Sequence, residues 1–401
     1  MELLEKISLM DYKELIPFWL ELCQNCYDVQ EKTLFDILNY SKDTEIGQKF
    51  DFESISSIKE YQEKVPLLEY DDITDYIERM AEGEENILFP GRTSFFISTS
   101  GTTGNSKKIP ENEKSKKAKS IVLNLRRLYL TKVLLEKIKN SDILLNRFKE
   151  KDVDLYNPES FDGFHFYSVT SASPNKKTKG GIEIGFASGK TFDNSALAQK
   201  TVSYPIEIMG LSDGEASMYL SMLFALRYDD IFIILANNAG RVYSRFKYAQ
   251  EHAEEIISDL KNGTITKRIN ITEDERKLFE GYLEPHVERA GFLESLLNKG
   301  KEFFIPKYYW PYLILAMFWL GGSVGVNVDK LKPYLPETVF YFDIGYGASE
   351  GKINIPFKPS AVEGTLGIAS IFYEFISMDN GEILTADQLE LNKEYDILLT
   401  T

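Results

Sequence analysis

The sequence predicts an α/β protein with at least one largely parallel sheet. Two apolar runs, residues 231–236 and 339–344, have the length and the β-branched or aromatic content of buried strands. Around them, residues 114–139, 218–227 and 246–260 repeat apolar side chains at helical spacing. Strands that alternate with helices favour a parallel sheet. We therefore expect ligands to bind at the carboxyl ends of the strands.

Charge and size exclude several classes of protein. The chain has 401 residues, and its 46 Lys and Arg against 62 Asp and Glu give a net charge of −16. Such an acidic chain is a poor binder of nucleic acid or of anionic membranes. Its first residues lack the basic start and apolar run of a signal peptide. The uncharged stretch 308–326 is interpreted as a buried strand, 313–320, followed by a glycine turn.

The two cysteines carry no predicted chemistry. Cys23 and Cys26 have no second pair and no nearby His with which to complete a zinc site. We interpret them as two positions on one face of a helix over residues 18–26. So few cysteines indicate a reducing compartment, here the cytoplasm.

A loop rich in hydroxyl groups follows a short predicted strand over residues 93–97. Its residues are Ser98, Thr99, Ser100, Gly101, Thr102, Thr103, Gly104, Asn105, Ser106, Lys107, Lys108, Ile109 and Pro110. Glycines let backbone N–H groups turn inward, hydroxyls add donors and lysines add charge, a combination that suits a polyphosphate. The spacing is not that of a Walker A loop. The alternative is an ordinary surface turn.

A local excess of lysine surrounds this loop. Lys107 and Lys108 lie within it and are well placed to meet phosphate. The next lysines are interpreted as a solvated face of the following helix: Lys114, Lys116, Lys117 and Lys119.

A second constellation follows the predicted strand 339–344. It reads Gly345, Tyr346, Gly347, Ala348, Ser349, Glu350 and Gly351. It is not a dinucleotide-binding fingerprint, because Glu350 stands where that pattern needs glycine. An aromatic ring can stack on a purine, a hydroxyl can bind phosphate, and a carboxylate can hold Mg²⁺. The alternative is a strand end with an exposed Tyr and Glu.

Together the two segments resemble the adenylate-forming superfamily. The closer resemblance is to the plant auxin-responsive "Gretchen Hagen" acyl-acid amido synthetases and their bacterial relatives. Further segments stand in that family's order: residues 65–73, 107–110, 213–219, 310–311, 321–323, 372–376 and 393–401. The resemblance covers essentially the whole chain.

The resemblance implies a fold and an activity. The fold is a large N-terminal domain over residues 1–401, with mixed and parallel sheets flanked by helices and room for a small β-barrel. The activity is a ligase reaction that uses ATP and Mg²⁺ to activate a carboxylic acid as an acyl-adenylate. An amine such as an amino acid then takes the acyl group. Two alternatives stay open: acyl transfer to coenzyme A, and a catalytically silent module that binds a nucleotide or a small acid.

The resemblance also implies roles for individual residues. The phosphates would lie against Ser98, Thr99, Ser100, Gly101, Thr102, Thr103 and Gly104, with Lys107 nearby. The adenine would lie between Gly322, Ser323, Tyr346 and Gly347. Ser349 would approach the α-phosphate and Glu350 would hold Mg²⁺. Arg126, with Arg127 as the second choice, would line the acyl site; the alternative for Arg126 is a surface position.

One departure from the family affects the expected activity. The family's third motif and its C-terminal lid domain would follow Thr401, beyond this sequence. We therefore expect weak binding of ATP or AMP and poor turnover. The sequence identifies neither the acid nor an oligomeric state.

Overall fold

The structure is a computed structural model. It describes residues 6, 9–10, 12–99, 106–153, 164–170, 176–186 and 196–401. Its helices that bear on the site are α1 (Tyr12–Gln24), α2 (Cys26–Ser41), α3 (Glu45–Lys49), α4 (Ile58–Lys64), α5 (Thr74–Glu82), α6 (Glu113–Lys139), α7 (Asp142–Glu150), α8 (Ala196–Thr201), α9 (Gly214–Ala225), α10 (Ala239–Glu251), α11 (Ala253–Asn262), α12 (Glu273–Glu280), α13 (Val287–Leu297), α14 (Pro306–Tyr309) and α15 (Gly322–Leu331).

Four sheets accompany these helices. Their strands are β1 (Phe95–Ser98), β2 (Lys108–Glu111), β3 (His165–Val169), β4 (Lys176–Lys177), β5 (Glu183–Gly185), β6 (Ile231–Ala236), β7 (Leu315–Met317), β8 (Phe340–Phe342), β9 (Asn354–Ile355), β10 (Thr365–Leu366), β11 (Phe372–Ser377), β12 (Ile383–Thr385) and β13 (Tyr395–Thr400). The order β3-β6-β7-β8 forms a sheet in which every neighbouring pair is parallel. The predicted α/β class is confirmed.

Helices cover both faces of the parallel sheet. On one face Leu130 of α6 and Phe148 of α7 pack with Phe232 and Phe340 of the strands. On the other face α9, α10, α11 and α13 pack on a larger apolar cluster that includes Ile234. The strands are apolar almost throughout because both faces of the sheet are buried. Ligands can therefore reach the sheet at the carboxyl ends of its strands.

The loop rich in hydroxyl groups belongs to a different sheet. This sheet has the order β2-β1-β5-β4, and β1 pairs antiparallel with β2. The sequence predicted a strand, the loop and then a helix, so β2 was missed. It contains Pro110, which has no backbone N–H, but β2 is an edge strand, where proline is tolerated.

The C-terminal part of the chain is antiparallel. β9 pairs with β10, and β11 lies between β12 and β13. Strand β11 confirms the strand predicted over residues 372–376. Gln30 of α2 ties this region to the N-terminal helices, since its amide donates to the Ile371 carbonyl (2.9 Å) and accepts from Tyr373 N–H (2.8 Å).

Two details of the sequence interpretation were wrong. Cys23 and Cys26 do not share one helix, because α1 ends at Gln24 and α2 begins at Cys26. No strand was predicted between residues 154 and 201, yet this stretch supplies β3, an edge strand of the parallel sheet. Across the described ranges, no helix combines the length and the apolar character needed to span a bilayer.

Candidate functional site

The base of the predicted phosphate loop is a closed hairpin. Thr99 N–H donates to the Lys107 carbonyl (3.0 Å), and Lys107 N–H donates to Thr99 Oγ1 (3.1 Å). The Oγ atoms of Ser98 and Ser106 lie 2.6 Å apart. These bonds fix the two ends of the loop. Its central residues lie outside the described part of the chain: Ser100, Gly101, Thr102, Thr103 and Gly104.

The two lysines of the loop have different surroundings. Lys107 Nζ lies 4.8 Å from the centroid of the Tyr70 ring, and its side chain is exposed. Lys108 Nζ is held by Glu78 at 2.7 Å. Tyr70 also accepts the Lys108 N–H at 2.9 Å, so one tyrosine orients this end of the hairpin. Lys107 therefore keeps an ammonium group that no described carboxylate neutralises.

A buried carboxylate shapes the backbone where β7 and β8 end. Asp343 is 4% exposed and follows β8 directly. Its Oδ1 accepts from Gly345 N–H and its Oδ2 from Leu320 N–H, both at 2.7 Å. Gly345 has φ +82°, and a Cβ there would lie 2.9 Å from the Asn354 carbonyl oxygen, so only glycine fits this turn. Sequence analysis missed Asp343.

The second predicted segment forms a tight turn beyond Gly345. Tyr346 N–H donates to Asn354 Oδ1 (2.7 Å), and Ala348 N–H donates to the Gly351 carbonyl (2.9 Å). Gly347 bridges to Lys352. The turn projects Glu350 into solvent and leaves the Tyr346 side chain 59% exposed. An exposed ring and an exposed carboxylate are thereby available to a ligand.

The glycines after β7 lie beside this turn. Gly322 and Ser323 are the first residues of α15, and Gly322 has φ +61°. Trp319 Nε1 donates to the Gly345 carbonyl at 2.9 Å. Since β7 and β8 are parallel neighbours, both segments emerge at the same edge of the sheet. The structure thus brings Gly322 and Ser323 next to the segment that holds Tyr346.

Helix α6 supplies the predicted arginine. The Arg126 guanidinium donates to the Ile344 carbonyl, whereas Arg127 faces solvent. Burial lowers the pKa of Arg126 to about 10, against the opposing influence of the Asp343 carboxylate. Arg126 thus points toward the interior beside the second segment and not to the surface.

Lys119 joins the two predicted segments. Its Nζ lies 2.9 Å from Glu111 Oε1, at the end of β2, and 2.8 Å from the Ser349 carbonyl oxygen. The side chains of Lys119 and Glu111 are 14% and 10% exposed. Lys119 precedes Arg126 by seven residues, about two helical turns, so both project from one face of α6. That spacing was the signal that could have identified Lys119.

The interpretation of four lysines as a solvated face was therefore partly wrong. Lys114 Nζ donates to the Asp36 carbonyl (2.5 Å) and lies 4.6 Å from the centroid of the Tyr40 ring. Burial lowers the pKa of Lys114 to about 8. Lys117 is exposed as predicted.

Lys352 is a third cation beside the second segment, after Lys119 and Arg126. Burial, together with the positive charges of Arg126 and Lys119, lowers the pKa of Lys352 to about 8. Positive charge thus gathers behind the turn in a strongly acidic protein, and an anion would be attracted there. Among the described residues, no group of three or more His, Cys, Asp or Glu could hold a metal ion.

The sequence matches known proteins over most of its length. Residues 16–340 match the GH3 family N-terminal domain. The chain is 24% identical to the indole-3-acetic acid-amido synthetase GH3.2 of Arabidopsis thaliana, covering 96% of this chain and 70% of that protein. It is 22% identical to the jasmonoyl–L-amino acid synthetase JAR4 of Nicotiana attenuata, over 99% of this chain and 67% of that protein.

Solved structures show the same fold. A GH3.15 acyl acid amido synthetase superposes with a TM-score of 0.74 at 19% identity, covering 96% of this chain and 64% of that one. The AtGH3.15 enzyme in complex with 2,4-DB gives a TM-score of 0.75 at 20% identity, over 98% and 65%. The chain thus spans about two thirds of the length of these relatives and solved chains. The family match covers most of the chain and the fold agrees with it, so this protein belongs to the GH3 family.

Proposed function

We propose that this chain binds the nucleotide and the acid in an ATP-dependent acyl-acid amido synthetase. The relatives named above are amido synthetases, that is, ligases. In the proposed reaction a carboxylate oxygen attacks the α-phosphorus of ATP, and pyrophosphate leaves. The nitrogen of an amine such as an amino acid then attacks the acyl carbon, loses a proton and displaces AMP. Residues 1–401 form the large domain for these steps.

The observation that carries the proposal is the position of Lys119. Through Glu111 it holds the end of the hairpin that bears the loop, and through the Ser349 carbonyl it holds the second segment. One side chain of α6 therefore contacts two segments that are far apart in sequence. Such catalysis depends on positioning and on stabilising developing charge more than on a strong nucleophile.

The geometry supports a division of roles between the two segments. Ser98, Thr99 and Lys107 bind the phosphates together with residues 100–104, whose role follows from the family resemblance alone. Gly322, Ser323, Tyr346 and Gly347 border the adenine, and the exposed Tyr346 ring is free to stack on it. Ser349 approaches the α-phosphate. Arg126 faces the acid, whose carboxylate its remaining N–H groups can meet.

Glu350 is the residue that would hold Mg²⁺. Mg²⁺ keeps several waters and binds through one or two carboxylates and the substrate phosphates, so a single exposed glutamate fits it. When bound, the ion neutralises charge on the phosphates. The position of Glu350, one residue after Ser349, determines where that charge would be neutralised.

Titration calorimetry with ATP plus Mg²⁺, and separately with AMP, tests this assignment. We expect Glu350→Gln to weaken Mg²⁺-ATP about tenfold and AMP by less than about twofold, since AMP lacks the phosphates that share the ion. Glu294→Gln, an exposed carboxylate of α13, is the matched control. Equal losses for both nucleotides would remove the metal role, and no binding of either nucleotide by folded protein would refute the nucleotide site.

Product analysis tests the chemistry. Pyrophosphate release with a panel of carboxylic acids should require an acid, and an added amino acid should yield an amide. A thioester with coenzyme A and no amide would favour the acyl-CoA ligase alternative. Nucleotide binding without pyrophosphate release for any acid would favour the silent binding module.

A further inference from the structure

A second cavity opens at the carboxyl ends of β3 and β6. Its volume is about 680 Å³, within the range of roughly 300–1,000 Å³ typical of small-molecule sites. Thr170 follows β3, and Asn238 follows β6 and caps α10. The first turns of α9 and α10 and the middle of α15 complete the wall. None of its lining residues belongs to the two segments assigned above to the nucleotide.

Arg245 lines this cavity without a counter-charge. Its residue is 8% exposed, and its Nε has no hydrogen-bond partner. One terminal nitrogen lies 3.4 Å from Ser217 Oγ, a weak contact. Within the described ranges no carboxylate forms an ion pair with Arg245, and the lining of the cavity contains no Asp or Glu.

Arg289 shows how this protein satisfies a buried arginine that has only a structural role. It is 9% exposed, about as buried as Arg245, and among the described residues it too forms no direct ion pair, although the Asp229 and Asp230 carboxylates act on it from farther away. Its guanidinium nevertheless donates to three backbone carbonyls, those of Leu226 (2.9 Å), Tyr228 (2.9 Å) and Tyr309 (2.7 Å). Among the described residues Arg245 meets only two hydroxyl groups, those of Ser217 and Tyr167, and its Nε has no acceptor. A buried charge with so few acceptors is costly.

Further positive charge faces the same space. Arg241 lies one turn before Arg245 on α10, and Lys330 of α15 also lines the cavity. Desolvation, with the positive charge of Arg245, lowers the pKa of Arg241. The amino end of α10 adds its partial positive charge. Three cations, with no Asp or Glu among the described residues that line the cavity, create a local anion-attracting field in a chain of net charge −16.

Part of the lining of the cavity is apolar. Met209, Leu211 and Met218 line it, and Tyr243 adds an aromatic ring. An anion bound here would therefore have a hydrocarbon part beside these side chains. A planar guanidinium fork suits a carboxylate or a phosphate, both of which can accept two parallel hydrogen bonds.

We propose that this cavity is a binding site for a small organic oxyanion, a carboxylate or phosphate on an apolar body, clamped by Arg245 and Arg241. The site is separate from the nucleotide segments, and the proposal does not depend on the proposed function. Arg245 binds the oxyanion at the base of the cavity. Arg241 and Lys330 attract it at the mouth.

Calorimetric titration of the full chain with phenylacetate, phenyl phosphate and inorganic phosphate tests the proposal, with neutral phenylacetamide as the uncharged control. We expect saturable binding of phenylacetate or phenyl phosphate, and the tighter of the two identifies the oxyanion. Phenylacetamide should bind at least about tenfold more weakly, because it cannot pair with a guanidinium. Inorganic phosphate should bind more weakly than phenyl phosphate, because it lacks the apolar body.

Variants then locate the binding. Arg245→Gln should weaken the preferred probe by about tenfold or more, and Arg241→Gln by about threefold, since charge-assisted hydrogen bonds are lost. Lys247→Gln, an exposed cation on the same helix, should stay within about twofold. If Arg245→Gln does not fold, the exposed double variant Arg241→Gln/Lys330→Gln decides, with an expected loss of about tenfold.

Three results would overturn the proposal. The first is no saturable binding of any anionic probe to folded protein. The second is binding that the cavity variants leave unchanged, or that Lys247→Gln weakens equally. The third is displacement of the probe by AMP, which would place it in the nucleotide site. The variants are judged by probe binding alone, so failure of the nucleotide assignment would leave this test intact.

Discussion

Two groups of cations border the carboxyl edge of the parallel sheet, and they differ in what they contact. The α6 seam consists of Lys119 and Arg126 with their partners Glu111, Ser349 and Ile344. There each cation meets a carboxylate or a backbone carbonyl. In the cavity beside α10, no described carboxylate or backbone carbonyl pairs with Arg241 or Arg245, and Arg245 meets only the hydroxyls of Ser217 and Tyr167.

The difference separates two uses of positive charge. In the α6 seam the partners belong to the protein, so the cations fix the loop hairpin and the second segment relative to each other. In the cavity no described carboxylate neutralises the cations, and the proposed ligand would supply the negative charge. Mutations in the seam should therefore change stability as well as nucleotide binding, whereas mutations of the exposed cavity cations, Arg241 and Lys330, should change ligand affinity alone.

The largest expected effect on stability comes from breaking the ion pair between Lys119 and Glu111 in the α6 seam. Lys119→Met leaves the Glu111 carboxylate buried and unpaired, which should lower the free energy of unfolding by about 3–5 kcal/mol. The double variant Lys119→Met/Glu111→Leu should recover most of that loss, because an apolar pair can replace a buried ion pair. Chemical denaturation measures both.

The same variants separate stability from function. In the double variant the Ser349 carbonyl still lacks its donor, so nucleotide affinity should stay reduced although stability returns. Lys117→Met, on the exposed side of α6, is the control and should change neither quantity. A loss below about 1 kcal/mol for Lys119→Met would contradict the structural role of the pair.

The next largest effect concerns Arg126. Arg126→Met removes the donor to the Ile344 carbonyl and the group proposed to bind the acid. We expect acid-dependent pyrophosphate release to fall about 100-fold, with a smaller loss, about threefold, in AMP affinity. Arg127→Met, one residue away and exposed, should behave like the wild type. An unchanged rate in Arg126→Met would show that the arginine is dispensable for the acid.

Local sequence signals predicted the regular elements well where one physical cause dominated. β6 occupies the predicted residues because its isoleucine-rich run is buried on both faces. Helix α6 matches the prediction within one residue. Its apolar side chains repeat at helical spacing over a long stretch, and Asn112 caps its amino end. Glycines and hydroxyls in a fixed order marked the two segments of the candidate site.

Tertiary contacts determine the features that could not be predicted from the sequence. β3 begins at His165 within a glycine- and lysine-rich stretch, and it becomes a strand because it pairs with β6. In the sequence Lys119 resembles a surface lysine, because its contacts with the hairpin and the second segment form only in the folded chain. Arg245 follows an ordinary amphipathic pattern on α10, and only the absence of a facing acid, visible in three dimensions, distinguishes it.

The smallest expected effects distinguish the two lysines of the loop. Lys107 keeps an exposed ammonium over the Tyr70 ring, whereas Lys108 is already paired with Glu78. Lys107→Met should weaken Mg²⁺-ATP by about tenfold, because a charged hydrogen-bond donor to phosphate is lost. Lys108→Met should weaken it by less than about twofold and lower the free energy of unfolding by about 0–1 kcal/mol, as for an exposed ion pair. Glu78→Gln serves as the control, since it frees the Lys108 ammonium without removing it. If Lys108→Met weakened ATP more than Lys107→Met, the phosphate-facing lysine would be Lys108, and the contact with Glu78 would have to open when the nucleotide binds.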